Sequence, residues 1–175
     1  MKKLLLVLSL LFSIGAFART SEEIRAEKTL EVYYKGGYDY RMGTNQVGFS
    51  YFLNARNLLG ARVGAASSDG ERQTNITVDY KYFLSNSFYV APEVFYLNTV
   101  EDEAWFLTPF FKQSTVKYTS MGAGFRIGNQ WSGEHFSFGV DWVGIGRRLG
   151  TFHKDSDVVN NTTVTVLNLT LAFHF

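Results

Sequence analysis

The 175 residues are enough for one domain, and the absence of cysteine excludes a disulfide framework, a thiolate metal site and a cysteine nucleophile. The formal net charge of +1 argues against a nucleic-acid partner bound through its phosphates. Aromatic residues make up 17% of the chain although its mean hydropathy is only −0.07, which indicates that polar residues alternate with the aromatic ones.

The first residues have the pattern of a secretory signal peptide. Lys2 and Lys3 precede an apolar run over residues 4–12, and an A-x-A pattern between Ala16 and Ala18 follows. The run is shorter than the ~20 apolar residues that a membrane-spanning helix needs. An uncleaved anchor is the less favoured alternative, because the cleavage pattern is good. We therefore expect residues 1–18 to be removed as a signal peptide.

The next segment, residues 19–27, is expected to be a periplasmic leader. Thr20 and Glu23 have the T-x-x-E spacing of a capping box, which would begin a brief helix over residues 21–27. A loose leader is the alternative that the sequence leaves open.

Eight segments alternate between apolar and polar residues, which is the pattern of a β-strand with two different faces. The last segment shows it best, because Leu169, Leu171 and Phe173 share one face and Asn168, Thr170 and Ala172 share the other. In chain order the segments are residues 29–36, 46–53, 58–66, 74–84, 88–98, 116–128, 135–147 and 166–175. Pro92 fits its strand badly, because it cannot donate a ladder hydrogen bond, and we expect a bulge there.

The predicted connections alternate in length. Short turns are expected near residues 54–57, 85–87 and 129–133, and longer polar connections near residues 37–45, 67–73, 100–115 and 149–161. Short turns at one end and longer loops at the other are typical of outer-membrane barrels. An even number of strands would place both termini at the short-turn end, which is the periplasmic one.

The composition of the two faces indicates which one meets which solvent. The polar faces carry small residues that suit the crowded inside of a narrow barrel: Gly48, Gly60, Gly64, Gly122, Gly124 and Gly139. The apolar faces carry bulky residues, which lipid accepts without tight packing. Rings near strand ends are expected to form interfacial girdles: Tyr34, Phe52, Phe88, Trp131, Phe136 and Phe175. A soluble periplasmic barrel that binds a ligand inside is the alternative, and its core would be apolar.

The alternating final strand, residues 166–175 ending on Phe175, resembles the C-terminal signal that outer-membrane proteins present to the barrel-insertion machinery. The whole stretch from residue 28 to residue 175 resembles the small eight-stranded OmpA/OmpX-type barrels. This resemblance implies an all-β fold, an eight-stranded antiparallel up-and-down transmembrane β-barrel in the bacterial outer membrane. It is a resemblance of architecture and implies no particular activity.

The polar faces carry four acids and four bases that would meet inside the barrel: Glu31, Lys35, Arg62, Asp79, Lys81, Glu93, Arg126 and Asp141. Symmetric hairpins would place Arg62 opposite Asp79, and Asp79 opposite Glu93. Buried charges must be paired or hydrated. Because the interior of eight strands is just filled by side chains, a plug of ion pairs is favoured over a gate or narrow pore.

His135 and Ser137 lie two residues apart, as in the His-x-Ser arrangement of an outer-membrane lipid-A deacylase. The pair follows a periplasmic turn, far from the leaflet that holds lipid A, and no carboxylate is evidently placed to orient His135. Both side chains are expected to point inward and to fill space. A lipid-A-modifying enzyme is therefore the least favoured alternative.

The connections contain three further candidate sites. Aromatic residues between strands five and six could form a surface patch or sit at the membrane interface: Trp105, Phe106, Phe110 and Phe111. Arg147 and Arg148 could contact lipopolysaccharide phosphates at the outer rim. The cluster His153, Asp155 and Asp157 matches no metal-ligand spacing, so a solvated loop is favoured there.

The sequence therefore predicts an integral outer-membrane protein with a structural or surface-interaction role, a monomer without cofactor or metal. Its partners would be outer-membrane lipid, lipopolysaccharide and the insertion machinery. A narrow pore for small solutes is the first alternative.

Overall fold

A computed structural model describes residues 20–39, 42–68, 71–103, 114–154 and 162–175. The predicted signal peptide therefore lies outside the described residues. A short helix α1 (Ser21–Ala26) precedes eight strands: β1 (Leu30–Asp39), β2 (Met42–Asn54), β3 (Asn57–Ser68), β4 (Glu71–Phe83), β5 (Phe88–Glu103), β6 (Ser114–Ser132), β7 (Phe136–Lys154) and β8 (Thr162–His174). Each strand pairs antiparallel with its neighbours in the chain, and β8 closes the barrel against β1. The predicted fold class is confirmed.

The strands are longer than the alternation predicted. The connection expected over residues 37–45 is wrong, because Gly37 pairs with Thr44 and β2 already begins at Met42. The connection expected over residues 67–73 is also wrong, since Ser68 pairs with Glu71. Polar composition misled the prediction here, because strand ends that extend beyond an apolar belt are polar on both faces. The longer connections, residues 104–113 and 155–161, lie outside the described part of the chain.

Apolar side chains cover the outer wall, and polar ones fill the interior. Phe49, Ile76 and Phe125 are about half exposed, whereas Asp141 and Ser120 are fully buried. A soluble β-barrel would show the reverse, because its apolar face would be turned away from water. The strands therefore have the inside-out polarity of a barrel that meets lipid.

Three details of this pattern differ from the prediction. Phe52, expected in an interfacial girdle, points inward and is 5% exposed, because its even position puts it on the interior face of β2. Val140, which strict alternation from Phe136 and Phe138 would put on the outer wall, is also buried. Trp142 and Val143 are both exposed, since the register between β6 and β7 shifts beside them and reverses the alternation of β7.

Pro92 causes no bulge. The ladder between β4 and β5 has no pairs between Asp79–Glu93 and Tyr82–Val90. The register is the same before and after this interruption. On its other side, Pro92 keeps its place opposite Phe125. The missing amide therefore interrupts one ladder locally instead of inserting a residue.

Helix α1 begins with the predicted capping box. The Thr20 hydroxyl accepts from the Glu23 amide at 3.3 Å, and the Glu23 carboxylate accepts from the Thr20 amide at 2.8 Å. The segment before β1 is therefore a short helix and not the loose leader that the sequence also allowed. No helix among the described residues is long and apolar enough to cross a membrane.

Candidate functional site

Six charged side chains from six strands meet in the middle of the barrel, and we call them the central ion cluster: Lys35, Arg62, Asp79, Glu93, Arg126 and Asp141. Arg126 is the hub, with its guanidinium 2.6 Å from Glu93, 2.7 Å from Asp141 and 3.2 Å from Asp79. Arg62 lies 2.6 Å from Asp79 and from Glu93, and Lys35 pairs with Asp141. The three cations and three carboxylates balance within the cluster.

This cluster is withdrawn from solvent. Asp141 is fully buried, and the side chains of Arg62 and Arg126 are 4% and 5% exposed. Taking a charge out of water costs several kcal/mol per ion, so each member depends on its partners. Tyr89 adds a hydrogen bond from its hydroxyl to Asp141. The cluster is therefore a set of mutually dependent contacts across the bore, not a collection of separate pairs.

The ladder register differs from the predicted one. Arg62 lies opposite Thr77 and Asp79 lies opposite Gly60, so the predicted Arg62–Asp79 pairing is wrong by two residues. The turn between β3 and β4 is centred one residue earlier than an Arg62–Asp79 pairing requires, because Ser68 pairs with Glu71. The two side chains still meet, since a long arginine reaches a diagonal neighbour. Asp79 does lie opposite Glu93, as predicted.

Gly48 provides space beside the cluster. A Cβ atom there would lie 2.7 Å from the Tyr33 ring and from the Arg62 Cβ, and 2.6 Å from the Ala61 carbonyl oxygen. Real Cβ atoms do not approach other atoms so closely. A side chain at this position would push Arg62 and Tyr33 out of place.

A second polar group, the lower cluster, lies nearer the end of the barrel that holds Phe175 and α1. Lys81 donates to Gln130 at 2.6 Å, and Gln130 donates to Glu31 at 2.9 Å. Lys81 is also 3.7 Å from Glu31, and His174 is 3.7 Å from the same carboxylate. The sequence did not predict Gln130 as an interior residue, because a turn was expected near residues 129–133, whereas β6 continues to Ser132.

Ser137 belongs to this lower cluster, but His135 does not. Ser137 is buried with its hydroxyl 2.6 Å from Nε2 of His174, while His135 is exposed in the turn. The expectation that His135 points inward is wrong, because the turn ends before β7 begins at Phe136. Among the described residues no carboxylate accepts a hydrogen bond from Nδ1 of His174, so none orients this ring as a general base.

Helix α1 covers this end of the bore. The Arg25 guanidinium stacks 3.6 Å above the Phe83 ring and donates to the carbonyl oxygens of Ala55 at 2.8 Å and Asn86 at 2.9 Å. Ser21 accepts from the Ser132 amide at 3.0 Å. Burial lowers the pKa of Arg25 to about 10, so the side chain is still a cation at neutral pH.

Arg25 and the rings below it were not singled out by the sequence. Phe83 packs beside Phe52, Leu58, Tyr89 and Ala91 in an apolar layer within the bore. Each of these residues stands on an inward position of its strand, so period-2 alternation could have indicated the layer. Nothing in the pattern indicated that a residue before β1 would reach Phe83.

A small polar chamber of about 50 Å³ lies beyond the central ion cluster, on the side away from α1. Three buried atoms in its lining residues have no hydrogen-bond partner in the described structure: Gln46 Oε1, Asn75 Oδ1 and Arg62 Nε. Because one water needs about 10–15 Å³ of such space, the chamber can hold a few waters that satisfy these atoms.

The remaining predicted residues divide between exposed, buried and undescribed positions. Arg147 is exposed on the outer wall, but Arg148 is buried and its guanidinium lies 3.3 Å from the Tyr118 hydroxyl. Expecting both at the outer rim was wrong, since adjacent residues of a strand face opposite sides. The predicted aromatic patch lies outside the described residues: Trp105, Phe106, Phe110 and Phe111. So do Asp155, Asp157 and the side chain of His153. The described residues contain no group of three His, Asp or Glu side chains that could hold a metal ion.

Comparisons with known proteins agree on the architecture. No family model and no curated protein sequence matches the chain. The chain is similar in structure to the N-terminal β-barrel domain of Pseudomonas aeruginosa OprF, with a TM-score of 0.57, 12% identity, and coverage of 83% of this chain and 96% of that one. It is also similar to Neisserial surface protein A, with a TM-score of 0.58, 11% identity, and coverage of 83% and 94%. At these identities the likeness shows the fold.

Proposed function

We propose that this protein is an integral β-barrel of the bacterial outer membrane that acts through its cell-surface loops, and that its bore is closed. The observation that carries the proposal is the combination of an apolar outer wall with an interior filled by charge pairs. The central ion cluster crosses the bore, the apolar layer and lower cluster lie below it, and α1 covers the end. Such an arrangement suits a membrane anchor better than a channel.

The inside-out polarity supports the membrane location. A charged interior and a wall of half-exposed rings and aliphatic side chains are stable only where the solvent around the barrel is lipid. The two similar structures, OprF and the Neisserial surface protein, point the same way. Export by a signal peptide over residues 1–18 and insertion through the final strand, residues 166–175, belong to the same proposal.

The connections support an orientation with both termini in the periplasm. Helix α1 contacts the short turns around Ala55 and Asn86. The longer connections, residues 104–113 and 155–161, leave from the opposite end and would face the exterior. The aromatic residues of the first, Trp105 and Phe106 among them, would then be available at the cell surface.

Two other functions are less favoured. A pore for small solutes would need a continuous path, whereas Arg126 contacts carboxylates on three other strands and blocks it. A lipid-A-modifying enzyme would need an activated nucleophile in the outer leaflet. Ser137 lies at the opposite end, and the described residues provide no carboxylate on Nδ1 of its histidine partner.

Two measurements on the purified full chain test the proposal. In detergent, an intact transmembrane barrel should migrate differently on a gel before and after boiling, and identical migration would contradict the membrane fold. In a planar lipid bilayer, the folded protein should show no single-channel steps. Discrete steps that persist in repeated preparations would contradict the closed bore and favour the pore.

A further inference from the structure

We infer that the outer wall carries a binding site for a phosphorylated membrane lipid, with Arg72 and Lys117 at its phosphate and a groove over β1–β5 at its acyl chains. This inference rests on the proposed membrane location and adds a specific ligand class to it. It concerns a surface different from the Arg147 position that the sequence indicated.

The first observation is the distribution of charge on the outer wall. Among the side chains that the structure describes, the outward positions of the eight strands carry three charged residues, Arg72, Lys117 and Arg147, and all three are cations. All three lie in the half of the barrel away from α1. Cations at these positions match the phosphates of an anionic headgroup.

The second observation is that two of these cations flank one residue. Arg72 on β4 pairs with Val100 on β5, and Val100 pairs with Lys117 on β6. Since neighbouring strands lie about 4.8 Å apart, the two backbones are roughly 10 Å apart. Both side chains are long and exposed, so they can converge on one phosphate group.

The third observation is an apolar groove of about 580 Å³ directly below Arg72 on the outer wall. One ladder row crosses its floor from Tyr34 through Val47, Val63 and Ile76 to Tyr96. The two tyrosines stand at its ends, and three smaller aliphatic residues lie between them. The floor spans four strand spacings, so it can accept more than one acyl chain.

From the floor of the groove toward Arg72, the side-chain rows change from apolar to polar to cationic, as a lipid does from acyl chain to headgroup. The next outward row contains the polar residues Asn45, Thr74 and Asn98, which also line the groove. The row beyond it contains Arg72 and Lys117. Apolar, polar and cationic rows thus follow one another as acyl chain, sugar or glycerol, and phosphate do in a lipid. A free phosphate would need only the last row.

The experiment measures how much lipid stays bound to the folded protein. Purified barrel in detergent is equilibrated with diphosphoryl lipid A, and the lipid-bound fraction is read by native mass spectrometry. Arg72→Gln with Lys117→Gln should lower the apparent affinity about tenfold or more, because charge-assisted hydrogen bonds are lost. Arg72→Lys with Lys117→Arg should keep most of it. Inorganic phosphate alone should compete poorly.

Matched variants distinguish a specific binding site from nonspecific adsorption of lipid to the outer wall. Arg147→Gln removes the third outer cation away from the groove and should leave affinity nearly unchanged. Val63→Trp fills the groove and should weaken binding, whereas Ile145→Trp, on the far side of the barrel, should not. Equal losses for Arg147→Gln and the Arg72 and Lys117 pair, or no loss for Val63→Trp, would overturn the site.

Heat-dependent gel migration of each variant distinguishes failure of the lipid site from failure of the membrane barrel. Variants that still shift on boiling but bind lipid as the parent does would remove the lipid site and leave the membrane barrel standing. Absence of the shift in the parent protein would remove the membrane barrel itself.

Discussion

The guanidinium of Arg25 lies 3.6 Å above the ring of Phe83, joining the segment before the first strand to the interior of the barrel. Two carbonyl oxygens, from turns on either side, accept hydrogen bonds from the same side chain. One arginine thus connects helix α1, two turns and the apolar layer. A helix of six residues is too short to be stable by itself, so α1 depends on this contact with the barrel.

We expect Arg25→Ala to lower the free energy of unfolding by about 2–3 kcal/mol, because hydrogen bonds from a buried charged donor and a cation–π contact are lost. Urea unfolding of the barrel in lipid vesicles, followed by tryptophan fluorescence, measures the change. Arg56→Ala is the control: this exposed residue pairs with Glu22 at 2.8 Å and should matter much less. Equal effects of the two variants would contradict the anchoring role of Arg25.

Arg126→Met should be more damaging, with a loss of about 3–5 kcal/mol, because it leaves buried carboxylates without their shared partner. The same unfolding assay applies. Arg147→Met, an outward arginine on the neighbouring strand β7, should change stability by no more than about 0.5 kcal/mol. A small effect at Arg126 would mean that the cluster is hydrated and its members are independent.

Gly48→Ala should lower the free energy of unfolding by about 1–3 kcal/mol, because the added methyl group meets Tyr33 and Arg62 in a crowded interior. Gly43→Ala is the matched control on the same strand, where a Cβ would have no atom within 4 Å. If the two substitutions behave alike, the interior beside Arg62 is looser than the contacts indicate.

Ser137→Ala should cost about 1–3 kcal/mol of stability, because Nε2 of His174 loses its buried partner. The lipid A species of cells that carry this variant should match those of cells with the parent protein. His135→Ala, at an exposed turn position, should change neither quantity. An altered lipid A profile in the Ser137 variant would favour the enzymatic alternative.

Much of the architecture follows from local pattern. The alternation of Leu169, Leu171 and Phe173 with polar neighbours, repeated eight times, predicted the strands and their two faces, because side chains of a strand point alternately to opposite sides. The same reasoning indicated eight interior charges, and the structure places Glu31, Lys81 and the central ion cluster inside the barrel. Each of these inferences needs only the residue and its immediate neighbours.

What the tertiary structure decided depends on contacts between distant segments. The register that turns Arg62 toward Asp79 diagonally, the shift that exposes both Trp142 and Val143, and the approach of Arg25 to Phe83 are set by barrel closure. Alternation carries no information about these, because a period of two is unchanged when paired strands slide by two residues. The alternation within each strand therefore determined its inner and outer faces except at the β7 shift, and closure of the cylinder decided which interior side chains touch.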